Sequence, residues 1–141
     1  MRSIMICLCA TLLLASCAQT APTQITRYTI NAWESDIGYA AVVQSGNTYH
    51  ISGVTCGGPN YQEAVSVCYK ELGGILARHQ LTSQNVVKET IYALDIEALQ
   101  QQIPVRKKFY ANSQFPAATW VQVSRLYSPE HLIEIELIAV K

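Results

Sequence analysis

Glu134 and Glu136, near the C-terminus of this 141-residue chain, are of a type and spacing that could do chemistry. Two positions apart on a strand, they share a face with about 6.6 Å between them. A carboxylate pair at that separation is conceivable as the acid and base of a hydrolase, although two glutamates on one strand are ordinarily a solvated face. Nothing else completes such a site: no Ser-His-Asp order, phosphate loop or metal motif stands out. His50, His79 and His131 have no ligand spacing with one another or with Cys56 and Cys68, so each reads as a surface or half-buried residue. The formal net charge of zero gives no reason to propose a nucleic-acid partner.

The elements that must position these residues follow from periodicity. Ile133, Ile135 and Leu137 alternate with Glu134, Glu136 and Ile138, and Thr119, Val121 and Val123 alternate with Trp120, Gln122 and Ser124. That period of two predicts two strands, joined by turn residues around Pro129. Upstream, Ile25 to Trp33 is strand-like and Glu34-Ser35-Asp36 breaks it. Tyr39 to Gln44 and Thr48 to Ser52 flank Ser45-Gly46-Asn47, where Gly and Asn supply the positive φ of a hairpin turn. Gly53 to Pro59 reads as a loop. Asn60 and Glu63 form a capping box for a helix with Tyr61, Val65, Cys68, Leu72 and Leu76 on one face. Gly73-Gly74 inside it costs roughly 1 kcal/mol per glycine, which predicts a close approach of helix backbone to sheet. Val86 to Leu94 is a strand, and Asp95 to Tyr110 a second helical region with Pro104 suited to a first helical position. The order β-β-β-α-β-α-β-β predicts an α+β two-layer sandwich, a mixed sheet with two helices on one face.

The N-terminus stands apart from this domain. Met1-Arg2-Ser3 is a short positive head, Ile4 to Leu14 is apolar but too short to span a bilayer, and Leu14-Ala15-Ser16-Cys17 is a small-residue cleavage site. This resembles a bacterial lipoprotein signal; the alternative is an ordinary signal peptide in which Cys17 has no role. The resemblance implies a signal over residues 1–16, a lipidated Cys17, a tether over 17–24 and a domain over 25–141. With Ala18 following the cysteine, it also implies a protein on the outer membrane facing the periplasm, attached through its lipid anchor alone. Once Cys17 is committed to lipid, Cys56 and Cys68 are left in an oxidising compartment, where a disulfide is their natural pairing.

Several marks together resemble the Rid family, the RidA/YjgF-type reactive-intermediate deaminases. They are Gly38-Tyr39 before the hairpin, Ile51-Ser52-Gly53 at its end, Val86 to Tyr92 with Asp95, Phe115-Pro116-Ala117, and Ile133-Glu134-Ile135-Glu136. The resemblance covers about residues 25 to 140. It implies the family's chorismate mutase-like fold, a homotrimer with ligand clefts between subunits, and hydrolysis of enamines and imines such as 2-aminoacrylate with no metal or organic cofactor. By resemblance Tyr39, Ser52 and Gly53 line the cleft and Glu134 holds the attacking water. Ala118 stands where the family has a carboxylate-binding arginine, and Trp120 where a small residue is usual.

Read without the family, Tyr39 is ordinarily a packing residue and Trp120 is core or interface filler. A guanidinium holding a carboxylate through two hydrogen bonds, at about 1.5–3 kcal/mol each, contributes roughly 3–6 kcal/mol. Its absence at position 118 lowers affinity for a carboxylate about a hundred-fold to ten-thousand-fold. Arg125 has the wrong strand parity to replace it, and Arg106 and Lys107 begin the second helix, so none is an obvious substitute. Two readings follow: a diverged small-molecule-binding member, or an active enamine/imine deaminase that manages without the usual arginine.

Overall fold

A two-residue turn organises the first half of the domain. In the computed structural model, which describes residues 23–111 and 114–141, β2 (Val42–Ser45) and β3 (Thr48–Gly57) pair antiparallel around Gly46 and Asn47. Only Gly46 takes a positive φ, +59°. Asn47 does not, so the turn has the left-handed residue at its first central position alone, as a type II′ turn does. Residues 1–16, Cys17 and most of the tether lie outside the described residues, as do Asn112 and Ser113.

β1 (Ile25–Tyr28) pairs with β2 and stops well short of Trp33. Glu34 is the reason. Its carboxylate accepts from the backbone N–H groups of Ile30 (2.9 Å) and Asn31 (3.0 Å) and from Asn31 Nδ2 (3.0 Å), closing the chain into the one-turn helix α1 (Trp33–Asp36). The polar break is therefore a turn built around a buried glutamate. Three donors offset the cost of burying that charge.

β3 runs through the stretch expected to be a loop and reaches Gly57. It continues because β6 (His131–Val140) pairs along its length, with a register shift between Ile51 and Val54 that marks a bulge at Ser52-Gly53. Asn60 then caps α2 (Tyr61–Arg78), accepting from the Glu63 N–H at 3.0 Å while its Nδ2 donates to the Glu63 carboxylate. α2 buries Ala64, Val65, Cys68, Tyr69, Leu72 and Leu76. The glycine pair does not face the sheet. A side chain at Gly73 would only touch Phe109 of a later helix, and one at Gly74 would meet open space.

After a 3₁₀ turn (Ser83–Asn85), β4 (Val86–Ala93) leads to α3 (Ile96–Gln100), capped by Asp95, and to α4 (Ile103–Phe109). The second helical region is thus two short helices. Pro104 sits in the first turn of α4, where its missing N–H costs nothing.

β5 (Ala117–Gln122) and β6 follow each other in the chain but do not pair. β5 runs parallel to β4 at the sheet edge, and β6 inserts between β3 and β4, giving the order β1-β2-β3-β6-β4-β5. The fold is an α+β sandwich, one mixed six-stranded sheet with its helices on one face. The core lies between, with Val42, Ile51, Leu72, Ile91, Ile133 and Ile135 essentially inaccessible. Each such side chain contributes roughly 1.5–3 kcal/mol on burial.

Two contacts identify the helix-covered face. Cys56 of β3 is bonded to Cys68 of α2, with Cα atoms 5.7 Å apart. Tyr69 of α2 donates to Glu89 of β4. Residues in register with Cys56 or Glu89 therefore face the helices, and their strand neighbours face away.

Candidate functional site

The bulge in β3 brings four residues of the expected cleft together. It turns Ser52 so that its hydroxyl donates to the Ala40 carbonyl at 2.7 Å, while its N–H donates to the Ala41 carbonyl at 3.0 Å. Tyr39, at the entrance to β2, donates its hydroxyl to the Gly53 carbonyl at 3.0 Å. Glu134 of β6 lies across Gly53 so closely that a Cβ built on Gly53 would overlap its carboxylate. Only glycine leaves that carboxylate its place.

The electrostatics of the cluster follow from burial. Desolvation raises the Glu134 pKa above the ordinary carboxylate value, and the Glu136 charge two positions away adds to it. Burial also raises Tyr39, opposed by its contact with Ser52 and reinforced by the charges of Glu34 and Glu134. Glu134 keeps its proton to higher pH than a free carboxyl, beside a phenol that stays neutral. Such a pair can position a water or a polar ligand by hydrogen bonds in either direction. Glu136 shares the open face of the sheet with Glu134 and acts on it by repulsion.

Tyr39, Ser52 and Gly53 also form part of the wall of a cavity of about 700 Å³ between the α1 segment and α2. Trp33 rims it, half exposed, with its ring 5.5 Å from that of Tyr39. Tyr127 and His131 line its far end. His131 Nδ1 is buried there with no hydrogen-bond partner among the described residues. Glu134 reaches Gly53 from the open face of the sheet and is not part of this wall. Among the described residues no three His, Cys, Asp or Glu side chains cluster as a metal site requires.

Ala118 and Trp120 lie elsewhere. Ala118 is in register with Glu89 and Trp120 with Ile91, so both face the helices. Glu134 is in register with Thr55 and Tyr92 and faces away. β5 is also two strands from β6, about 10 Å at the usual spacing. One chain therefore does not unite the Tyr39–Glu134 cluster with the Ala118–Trp120 edge.

The edge instead carries a cluster that strand and helix parity did not reveal. Glu89 is fully buried and accepts from Tyr69 Oη (2.9 Å), Tyr110 Oη (2.8 Å) and Arg106 Nε (2.7 Å). Burial, then the Glu89 charge, drives both phenol pKa values far up, so both remain donors. The Arg106 guanidinium lies 4.9 Å from the Tyr110 ring centre, 5.3 Å from Phe115 and 5.6 Å from Trp120. The cation that position 118 lacks is thus present nearby, on α4. A signal existed in the alternation of Glu89, Ile91 and Ala93, which puts a carboxylate on the core face, where it requires a cationic partner.

Comparison with known proteins agrees with this architecture. A member of the YjgF/YER057c/UK114 family from Mycobacterium tuberculosis superposes with a TM-score of 0.76 at 24% identity, covering 84% of this chain and 100% of that one. A YjgF family member from Neisseria meningitidis gives 0.75 at 22% identity, covering 86% and 98%. A Rid family protein, YyfA, from Yersinia pestis gives 0.68 at 23%, covering 73% and 87%. No curated protein sequence matches the chain. The family model described as endoribonuclease L-PSP matches residues 29–141, and with that match spanning most of its length the chain belongs to this family, the YjgF/Rid family.

Proposed function

We propose that this protein is a small-molecule-binding member of its family, whose ligand site is completed by a neighbouring copy in a homotrimer. The observation that carries this reading is the separation of two half-sites: Tyr39, Ser52, Gly53 and Glu134 gather at the β3 bulge, while Ala118 and Trp120 lie on the other face at the β5 edge. A second copy laying its β5 edge against the first copy's Gly53 and Glu134 encloses a ligand between them. The sheet face that no helix covers offers the surface for such an association.

Binding is favoured over turnover because Ala118 places no guanidinium on β5 to orient a substrate for attack, and orientation is a large part of such catalysis. Ammonia release from freshly generated 2-aminoacrylate should stay near the uncatalysed rate with the purified protein. The second reading, an active enamine/imine deaminase, draws support from Glu134, whose raised pKa beside Tyr39 suits it to holding a water. Substantial ammonia release that disappears in Glu134→Gln would establish that reading and overturn the first.

The protein acts at the bacterial envelope, held by lipid on Cys17 at the outer membrane and facing the periplasm. The support is the Leu14-Ala15-Ser16-Cys17 site. A Cys17→Ser variant should move from the membrane fraction to the soluble periplasmic fraction, and unchanged membrane retention would refute the anchor.

A further inference from the structure

We propose that the cavity of about 430 Å³ between the C-terminal end of α2 and strands β1 and β3 is a binding site for a phosphate group. The cavity shares no residue with the Tyr39–Glu134 cluster or with the β5 edge, so the site stands or falls independently of the ligand cleft proposed above.

The wall of this cavity gathers basic side chains. Arg78, His79 and Lys141 line it together with Tyr28 and Tyr49, and no acidic side chain does. Neither Arg78 nor Lys141 has an ion-pair partner among the described residues. The α-carboxylate of Lys141, the last residue of the chain, offsets one of these charges, so the cluster takes up an anion most readily with His79 protonated. Burial, then the charges of Lys141 and Arg78, lower the His79 pKa, and an anion placed among the three opposes that repulsion.

A phenol without a partner points independently to a missing acceptor. Tyr49 is 5% exposed and its hydroxyl donates to no group among the described residues, whereas the neighbouring Tyr28 donates to Gln44 at 2.8 Å. Leaving a buried donor unpaired is costly, and this one belongs to the cavity wall. The imidazole is fixed beside it, its ring 5.4 Å from that of Tyr49 and 4.7 Å from that of Tyr28. α2 ends where Gln80 takes a left-handed φ of +58°, and the N–H groups of His79, Gln80 and Leu81 close onto the Leu76 and Ala77 carbonyls. Those bonds occupy carbonyls that would otherwise repel an anion at a helix C-terminus. A phosphate, with oxygens on several sides, accepts from a phenol, a guanidinium and an ammonium at once, and a planar carboxylate reaches fewer of them.

Two sources can supply the phosphate: a soluble phosphate ester or a phospholipid headgroup. The place where the chain enters the domain favours the headgroup. The Gly46 N–H donates to the Gln24 carbonyl at 3.4 Å and the Lys141 N–H to the Asn47 carbonyl at 2.9 Å, so the β2–β3 turn holds both the incoming chain and Lys141. Gln24 is seven residues after Cys17, a reach of at most about 25 Å from a lipidated cysteine. The headgroup source rests on the lipid anchor proposed above; the phosphate site does not.

The test is a titration of the full chain carrying Cys17→Ser, which holds no lipid, with glycerol 3-phosphate at constant ionic strength, followed through the His79 ring resonances. Glycerol 3-phosphate should shift them saturably and raise the pH at which His79 titrates, while glycerol and acetate should do neither. Arg78→Gln with Lys141→Gln should weaken binding at least about tenfold, which is about 1.4 kcal/mol, and Tyr49→Phe should weaken it severalfold. Arg78 and Lys141 are exposed, so the double variant keeps the fold. Lys70→Gln, on α2 but outside the cavity, should leave binding unchanged. His79 resonances indifferent to glycerol 3-phosphate, an equal response to acetate, affinity unchanged in the double variant, or an equal loss in Lys70→Gln would each overturn the proposal. Sedimentation of the same Cys17→Ser chain with phosphatidylglycerol vesicles then separates the sources. Vesicle binding that the double variant loses identifies the headgroup, and no vesicle binding beside an intact glycerol 3-phosphate response identifies a soluble ester.

Discussion

Replacing Arg106 with methionine should destabilise the domain by about 3–5 kcal/mol, the range for removing one partner of a buried ion pair. Methionine fills much of the same volume, so the loss comes from charge rather than packing. Glu89 would remain fully buried with two phenol donors and no cation. A buried carboxylate without its cationic partner is left uncompensated, and the folded state loses free energy. Adding Glu89→Gln should recover most of the loss, because the amide oxygen still accepts from Tyr69 and Tyr110 and no charge is buried. Urea unfolding of the two variants and the wild type measures this directly. A single variant within about 0.5 kcal/mol of wild type, or a double variant no better than the single, would show that the pair is not what holds α4 to β4.

Removing the disulfide should have the next largest effect. Cys56 and Cys68 join β3 to α2 across a sequence separation of 12, and both are buried in the core. The chain-entropy estimate for a loop of this length is about 3 kcal/mol, which for a domain of this size corresponds to a fall in Tm of roughly 10–20 °C. The double change Cys56→Ala, Cys68→Ala tests it by thermal unfolding under oxidising conditions. Melting curves that coincide with wild type would mean that α2 is positioned by packing alone. The bond also bears on the site, because β3 carries the bulge that presents Ser52 and Gly53 only a few residues before Cys56.

The strands, the capped helix and their order were legible in the sequence because each is a local pattern. Alternation of Ile133, Ile135 and Leu137 with glutamates needs only a pleated backbone with one side buried, and Asn60 with Glu63 needs only the first turn of a helix. The family marks around Tyr39, Ser52, Gly53 and Glu134 were legible for the same reason, as short runs. Tertiary structure decided what no local pattern contains. β3 extends to Gly57 because a strand from the far end of the chain pairs with it, and β5 and β6, joined by a turn, separate because β6 completes more backbone hydrogen bonds between β3 and β4 than at an edge. The face to which Ala118 and Trp120 belong was likewise undetermined until register with Glu89 and Ile91 tied them to the helices. Arg106 shows the difference most clearly. Parity along its own helix gave it no role, yet a buried glutamate on a strand seventeen residues earlier draws it to the β5 edge, since a charge in the core must find its counter-charge wherever the fold brings one within reach.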